Sequence, residues 1–240
     1  MARGAAARRT AVTARRAALF DIGDTLVHRP IVGPGRRIAD ALGLDRDAAR
    51  AITGWLFRER FPSPAALAAR VRAAFGLDGG IEAPIAAIWH AQETEPVEVP
   101  GATACVAAAR ADGARVALVS NIWAPYEAGF RRACPGIVPL VDSWHLSYRA
   151  GVAKPDPGLF AAALRALDVA ATDAVMVGDS IDKDIRPALA LGMRAIWIPA
   201  TGVDAEPVPD AAPHGALLAH DLAEARGLLV ALLGGGAGLV

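Results

Sequence analysis

Asp21 stands where the apolar run Ala17-Ala18-Leu19-Phe20 gives way to Ile22-Gly23-Asp24-Thr25-Leu26. The run has the pattern of a buried parallel strand. A carboxylate at the C-terminal edge of such a strand lies where open α/β sheets place their ligands, and the glycine two positions on lets main-chain amides turn toward an anion. Taken alone, the stretch reads equally as a turn that Asp21 and Asp24 merely cap. Two further apolar runs end in the same manner: Arg115 to Val119 in Ser120-Asn121, and Ala174 to Val177 in Gly178-Asp179-Ser180. Neighbouring parallel strands would bring two carboxylates and a hydroxyl to one crevice. A cation belongs with them. Only two lysines, Lys154 and Lys183, occur among 25 basic side chains, so arginine is used almost wherever a generic cation will do. Lys154, in Gly151-Val152-Ala153-Lys154-Pro155-Asp156-Pro157, marks a place that needs a compact charge on a flexible stem. Lys183 reads as part of a solvated helix face.

The elements that must position these groups follow from the periodicity. From Arg36 to about Gln92, Ala, Leu and Arg recur at helical spacing in four segments, Arg36 to Leu44, Asp45 to Phe61, Pro64 to Phe75 and Ile81 to Glu93. Breaks fall at Gly43, at Pro62-Ser63-Pro64 and at Gly76 to Gly80. No strand is expected there, and Trp55, Phe57, Phe61, Phe75 and Trp89 read as the core of that block rather than a stacking platform. Glu95 to Pro100 reads as a linker. Beyond it, helices at Gly101 to Ala111, Pro125 to Ala133, Pro157 to Leu167 and Asp182 to Leu191 alternate with strands at Arg115 to Val119, Val138 to Leu146, Ala174 to Val177 and Ala195 to Ile198. The pattern predicts an α/β fold with a doubly wound parallel sheet and an inserted all-helical unit. Pro199 to Pro213 is expected as a surface loop and His220 to Leu233 as a closing helix.

The 240 residues, 54% of them hydrophobic, suffice for one sizeable core and a smaller unit. Equal numbers of acidic and basic side chains argue against a nucleic-acid binder driven by phosphate attraction. Cys105 and Cys134 make no disulfide framework and no zinc spacing. The Arg/Ala-rich stretch from Met1 to Arg16 lacks the apolar core of a secretory signal, and the apolar C-terminus is too short and glycine-broken to span a bilayer. A cytoplasmic protein without a membrane partner is expected, and no surface patch marks an oligomer interface.

Taken together, the motifs give the chain a clear resemblance to the haloacid dehalogenase-like (HAD) hydrolase superfamily. Asp21 to Leu26 is similar to its first motif, Val119-Ser120-Asn121 to its second, Lys154-Pro155 to its third, and Gly178-Asp179 through Asp184 to its fourth. The helical block resembles the cap of the subfamily whose insert follows the first strand. This resemblance implies a Rossmann-like core over 17–27 and 100–240, a helical cap over 28–99 and a flexible extension over 1–16. It implies that Asp21 is a nucleophile toward phosphorus and that Ser120, Asn121 and Lys154 hold the phosphoryl group. Mg2+ would be bound by Asp21, the Gly23 carbonyl, Asp179 and Asp184, and the substrate would be a small phosphorylated metabolite. One position departs from the pattern. Phosphatases of the family usually carry an acid/base aspartate two residues after the nucleophile, where this chain has Gly23, and Asp24 lies one place too late to substitute without rearranging the loop. His28 and His145 are the other donors in view. The departure keeps two alternatives open, a metal-independent dehalogenase-type hydrolase and a non-catalytic binding or regulatory protein on the same fold.

Overall fold

The computed structural model describes residues 15–28, 30, 32–200, 212 and 215–234. In chain order, β1 (Ala17–Phe20) and β2 (Val27–His28) precede four helices, α1 (Pro34–Ala41), α2 (Arg46–Leu56), α3 (Pro64–Phe75) and α4 (Glu82–Thr94). There follow β3 (Val97–Glu98), α5 (Ala102–Ala111), β4 (Arg115–Ser120), α6 (Ala124–Ala133), β5 (Ser143–Leu146), α7 (Ser147–Ala150) and α8 (Pro157–Leu167). The chain continues through β6 (Ala174–Gly178), α9 (Arg186–Ala190), β7 (Arg194–Trp197), β8 (Ala216–Leu218) and α10 (Leu222–Leu233).

Six strands form one parallel sheet in the order β5-β4-β1-β6-β7-β8. Side chains alternate across it as strand geometry requires. Ala18, Phe20, Val116, Leu118, Val175 and Val177 join a core with α5 and α10 on one face. Ala17, Leu19, Ala117, Val119 and Met176 pack under α8 and α9 on the other. Covered on both faces, the central strands read as continuous apolar runs, which is why they were visible in the sequence. The fold is the expected doubly wound α/β sheet.

Capping sets the helix starts where the sequence placed them. Asp45 accepts from the Ala48 amide at 2.8 Å and Ser63 from that of Ala66 at 3.2 Å, and α3 ends on Gly76 at φ 63°. Trp55 and Phe75 pack within the helical block at 5.6 Å between ring centroids. Trp89 instead turns outward to meet Trp123 edge-on at 5.3 Å, and the Trp123 indole donates to the Gln92 carboxamide.

Four expectations need correction. The linker-like segment after α4 is part of a two-stranded ribbon, with Val27 opposite Glu98 and His28 opposite Val97, so the two chain segments flanking the helices are hydrogen-bonded to each other. The segment expected as the start of a helix at Asp182 begins with a π-helical turn over Ile181–Ile185. A sixth strand, β8, was not anticipated; its three residues lie just past the proline-rich run, most of which falls outside the described residues. The expected N-terminal extension falls outside them up to residue 14, but Arg15 pairs with Asp168, and the Arg16 carbonyl accepts from the Arg115 amide at 2.8 Å, extending the ladder between β1 and β4. Among the described residues no helix is long and apolar enough to cross a membrane.

Candidate active site

The register fixes the convergence. Phe20 lies opposite Leu118 on β4 and Val177 on β6, so Asp21, Ser120 and Asp179 all emerge at the same C-terminal edge of three adjacent strands. The Asp21 amide continues the ladder to the Val177 carbonyl at 3.0 Å. The turn beyond it is closed tightly: the amides of Leu26 and Val27 both bond the Ile22 carbonyl, and Asp24 takes a left-handed conformation at φ 53°, which the short polar side chain of aspartate tolerates better than most. Gly23 lies in this turn.

Lys154 reaches the site from the loop between α7 and α8, through a cis Lys154–Pro155 peptide. Its ammonium is buried, 2.7 Å from Asp21 Oδ1 and 2.5 Å from Asp184 Oδ1. The second oxygen of Asp184 accepts from the Ser180 amide at 3.0 Å. That geometry depends on Gly178, where an added Cβ would come within 2.6 Å of the Asp184 side chain. Asn121 presents its carboxamide to the lysine's own main chain, donating to the Lys154 carbonyl at 2.8 Å and accepting from its amide at 2.7 Å. Its side chain is thus engaged with Lys154, and what it can offer an anion is its main-chain amide.

These contacts set the charge states. Burial alone would raise the Asp21 carboxyl, but the Lys154 charge, with hydrogen bonds from Lys154, Ser120 and the Ile22 amide, outweighs it and holds the group below the ordinary carboxylate range. Burial likewise works to deprotonate Lys154, and the Asp184 and Asp21 charges overcome it, so the lysine is a firmer cation than in water. At Asp184 burial and the like charge of Asp21 win over Lys154 and push the carboxyl up to about 6.

Asp21, Asp179 and Asp184 each bring a carboxylate oxygen into a cluster whose members all lie within 4.8 Å of one another. Three carboxylates face one ammonium, which lies 2.7 Å from the buried Oδ1 of Asp21. The site therefore carries excess negative charge on hard oxygen donors, a set that fits a hard divalent cation.

The two histidines considered as proton donors are elsewhere. His28 is exposed on the ribbon. His145 lies on β5 with its Nε2 on Ser143 Oγ at 2.7 Å and within the field of Arg165 on α8. Lys183 is exposed, as expected. One residue that spacing did not flag also lies beside the site: Tyr126, in the first turn of α6, whose buried hydroxyl lies 3.6 Å from where a Cβ at residue 23 would be; its only signal was its place in the helix that follows Ser120-Asn121.

The comparisons with known proteins agree with this arrangement. A family model described as HAD-hydrolase-like matches residues 151–225. A phosphoserine phosphatase of Thermus thermophilus is 38% identical over 99 residues, 41% of this chain and 39% of that protein. The chain thus matches well under half the length of that curated relative. Among solved structures, a 2-haloacid dehalogenase from Pseudomonas syringae aligns with a TM-score of 0.61 at 23% identity, over 90% of this chain and 98% of that one. CbbY from Rhodobacter sphaeroides, solved with phosphate, aligns with a TM-score of 0.58 at 24% identity, over 88% and 96%. At such identities the structural likeness speaks for the fold. The family-model match over residues 151–225 and the four motifs on matching strand ends both point to the haloacid dehalogenase-like superfamily.

Proposed function

We propose that the chain is a magnesium-dependent phosphomonoester hydrolase acting on a small phosphorylated metabolite by way of an aspartyl-phosphate. The observation that carries this reading is the buried Asp21–Lys154 contact set against the Asp179 and Asp184 carboxylates. A carboxylate held below its usual range is ionised at neutral pH and needs no base before it attacks. One Asp21 oxygen forms a bond to phosphorus as the ester P–O bond breaks, and water later hydrolyses the acyl phosphate to release phosphate and free Asp21. Ser120 and Lys154 hold the phosphoryl oxygens, the lysine also offsetting the repulsion between Asp21 and an incoming dianion. Asp21, the Gly23 carbonyl, Asp179 and Asp184 would hold Mg2+, which would neutralise phosphoryl charge when bound. The helices between the ribbon strands, within 28–99, act as the cap that selects the substrate. The likeness to the Thermus phosphoserine phosphatase supports phosphatase chemistry. A cytoplasmic setting suits the two buried free thiols, Cys105 and Cys134, each pushed up to about 12 by burial.

The same cluster weighs against attack on a haloacid carbon, since Asp179 and Asp184 beside Asp21 and Lys154 would repel a free carboxylate substrate. The test is release of nitrophenolate from p-nitrophenyl phosphate with magnesium and with chelator, alongside Asp21→Asn. Turnover that requires both magnesium and Asp21 is expected. Turnover unchanged in Asp21→Asn or in chelator overturns the reading, and folded protein that binds phosphorylated compounds without turnover favours a binding role instead.

A further inference from the structure

Cleaving a phosphomonoester leaves an alkoxide-like oxygen that must gain a proton, and Asp21, Lys154 and Asp184 are not suited to give one. Asp21 is consumed as nucleophile. Lys154 is held more firmly protonated than a free lysine by two carboxylates, and Asp184 is fully buried with its oxygens on Lys154 and Ser180. Gly23 carries no side chain, and His28 and His145 lie elsewhere, as described above.

The loop nevertheless has a hydroxyl beside it. Tyr126 is 5% exposed, fixed in the first turn of α6 directly after the strand end that bears Ser120. Its phenol oxygen is 3.6 Å from the Cβ position of residue 23 and, among the described residues outside that glycine's own neighbours, is the one heavy atom within 4 Å of it. The phenol thus stands beside the space that a side chain two residues past the nucleophile would fill. A glycine there leaves room for a substrate oxygen between the turn and the ring.

We propose that Tyr126 is the general acid and base of this enzyme, a reading that rests on the phosphatase function proposed above. As Asp21 Oδ bonds to phosphorus and the ester P–O bond breaks, the phenol O–H proton passes to the leaving oxygen, giving the free alcohol and a phenolate. A water molecule then attacks the aspartyl-phosphate. The phenolate takes one of its protons, phosphate departs, and Asp21 and the phenol are both regenerated. The net change is ester plus water to alcohol plus phosphate. Tyrosine serves either step because its single O–H donates and its oxygen accepts.

The experiment compares wild type with Tyr126→Phe, which keeps the buried ring, in single turnovers of phenyl phosphate and p-nitrophenyl phosphate. The two esters share a shape and differ in how much the leaving oxygen needs a proton. A missing general acid lowers rate by about a hundred- to ten-thousand-fold where the proton is needed. Tyr126→Phe is therefore expected to lose at least about ten-fold more on phenyl than on p-nitrophenyl phosphate, and, with p-nitrophenyl phosphate in excess over enzyme, to show a nitrophenolate burst followed by slow release as the acyl phosphate accumulates. Gly23→Asp placed on Tyr126→Phe is expected to recover much of the phenyl phosphate rate. A loss equal on both esters, or none on either, in wild-type-like folded protein overturns the assignment and leaves the phosphatase reading standing. Should Tyr126→Phe not fold, the solvent deuterium isotope effect of wild type decides: it is expected to be larger on phenyl phosphate, and equal effects overturn the assignment. Wild type that turns over neither ester overturns the phosphatase reading and this role with it.

Discussion

The carboxamide of Asn121 closes on the main chain of Lys154 from both sides, donating to its carbonyl and accepting from its amide across 33 residues of sequence. Since the Lys154 ammonium lies 2.7 Å from Asp21 Oδ1, this clamp sets where that charge stands relative to the Asp21 carboxylate. Asn121 is accordingly a positioning residue.

Asn121→Ala leaves two main-chain groups of Lys154 without their partner, at about 1–3 kcal/mol for each that water does not reach. Displacing the ammonium by a fraction of an ångström to an ångström lowers turnover by up to about a hundred-fold. The expected result is a lower melting temperature together with a fall in kcat, with Asn121→Asp, which keeps the acceptor, recovering part of both. Melting and kcat unchanged in Asn121→Ala would remove the clamp from the account.

The strand ends were legible in the sequence because a parallel sheet covered on both faces leaves an unbroken apolar run that stops at the polar residue it presents, as at Phe20–Asp21 and Val177–Gly178. The helical block was legible from its helical spacing and its breaks at Pro62-Ser63-Pro64 and Gly76 to Gly80. What was not legible depends on contacts between distant segments. The pairing of Val27 with Glu98 turns an apparent linker into a strand through its partner alone. Tyr126 faces Gly23 because α6 follows a strand beside β1, and no local pattern states that. The aim of Asn121 toward Lys154 rather than outward has the same origin.

Gly178→Ala tests the closest approach in the site. Its Cβ would stand 2.6 Å from both Cβ and Cγ of Asp184, so the carboxylate must move off Lys154 or the strand must shift. Overpacking of this kind costs about 1–3 kcal/mol. Loss of thermal stability is expected together with a higher magnesium concentration at half-maximal turnover. A variant that loses stability but keeps its magnesium dependence would mean that Asp184 does not serve the ion.

The pH profile of stability has a contribution from His145. Burial, aided by the Arg165 charge, holds its ring below the ordinary value of 6.5. In the unfolded chain the ring binds a proton near 6.5, and in the folded chain only at lower pH, so just below 6.5 the unfolded state holds more protons. Stability is present above that pH and is lost as pH falls through it. Melting temperatures between pH 5 and 8 (roughly the window in which histidine titrates) are expected to rise through the mid-range and flatten, and His145→Gln is expected to lessen the rise. An identical slope in His145→Gln would assign the effect to other groups.

The helical block is held to the sheet domain through Gly129. A Cβ there would meet the Gln92 carbonyl at 2.4 Å and the Pro96 ring at 2.6 Å, and both belong to the end of α4 and the segment into β3. Around this contact Arg132 donates to the carbonyls of Glu93, Thr94 and Pro96, and Trp123 bonds Gln92. Backbone on one side and a ring on the other leave little that can yield, so Gly129→Ala must push α4 away from α6 at about 1–3 kcal/mol, on the order of 5 °C in a chain of this size. The site residues Asp21, Ser120 and Lys154 lie on other elements. Gly129→Ala is therefore expected to melt earlier and to discriminate less among phosphorylated substrates, while its kcat on p-nitrophenyl phosphate falls less than its selectivity. Equal loss on every substrate would mean that α4 supports β1 as well as the helical block, and that the block and the turn after Asp21 move as one body.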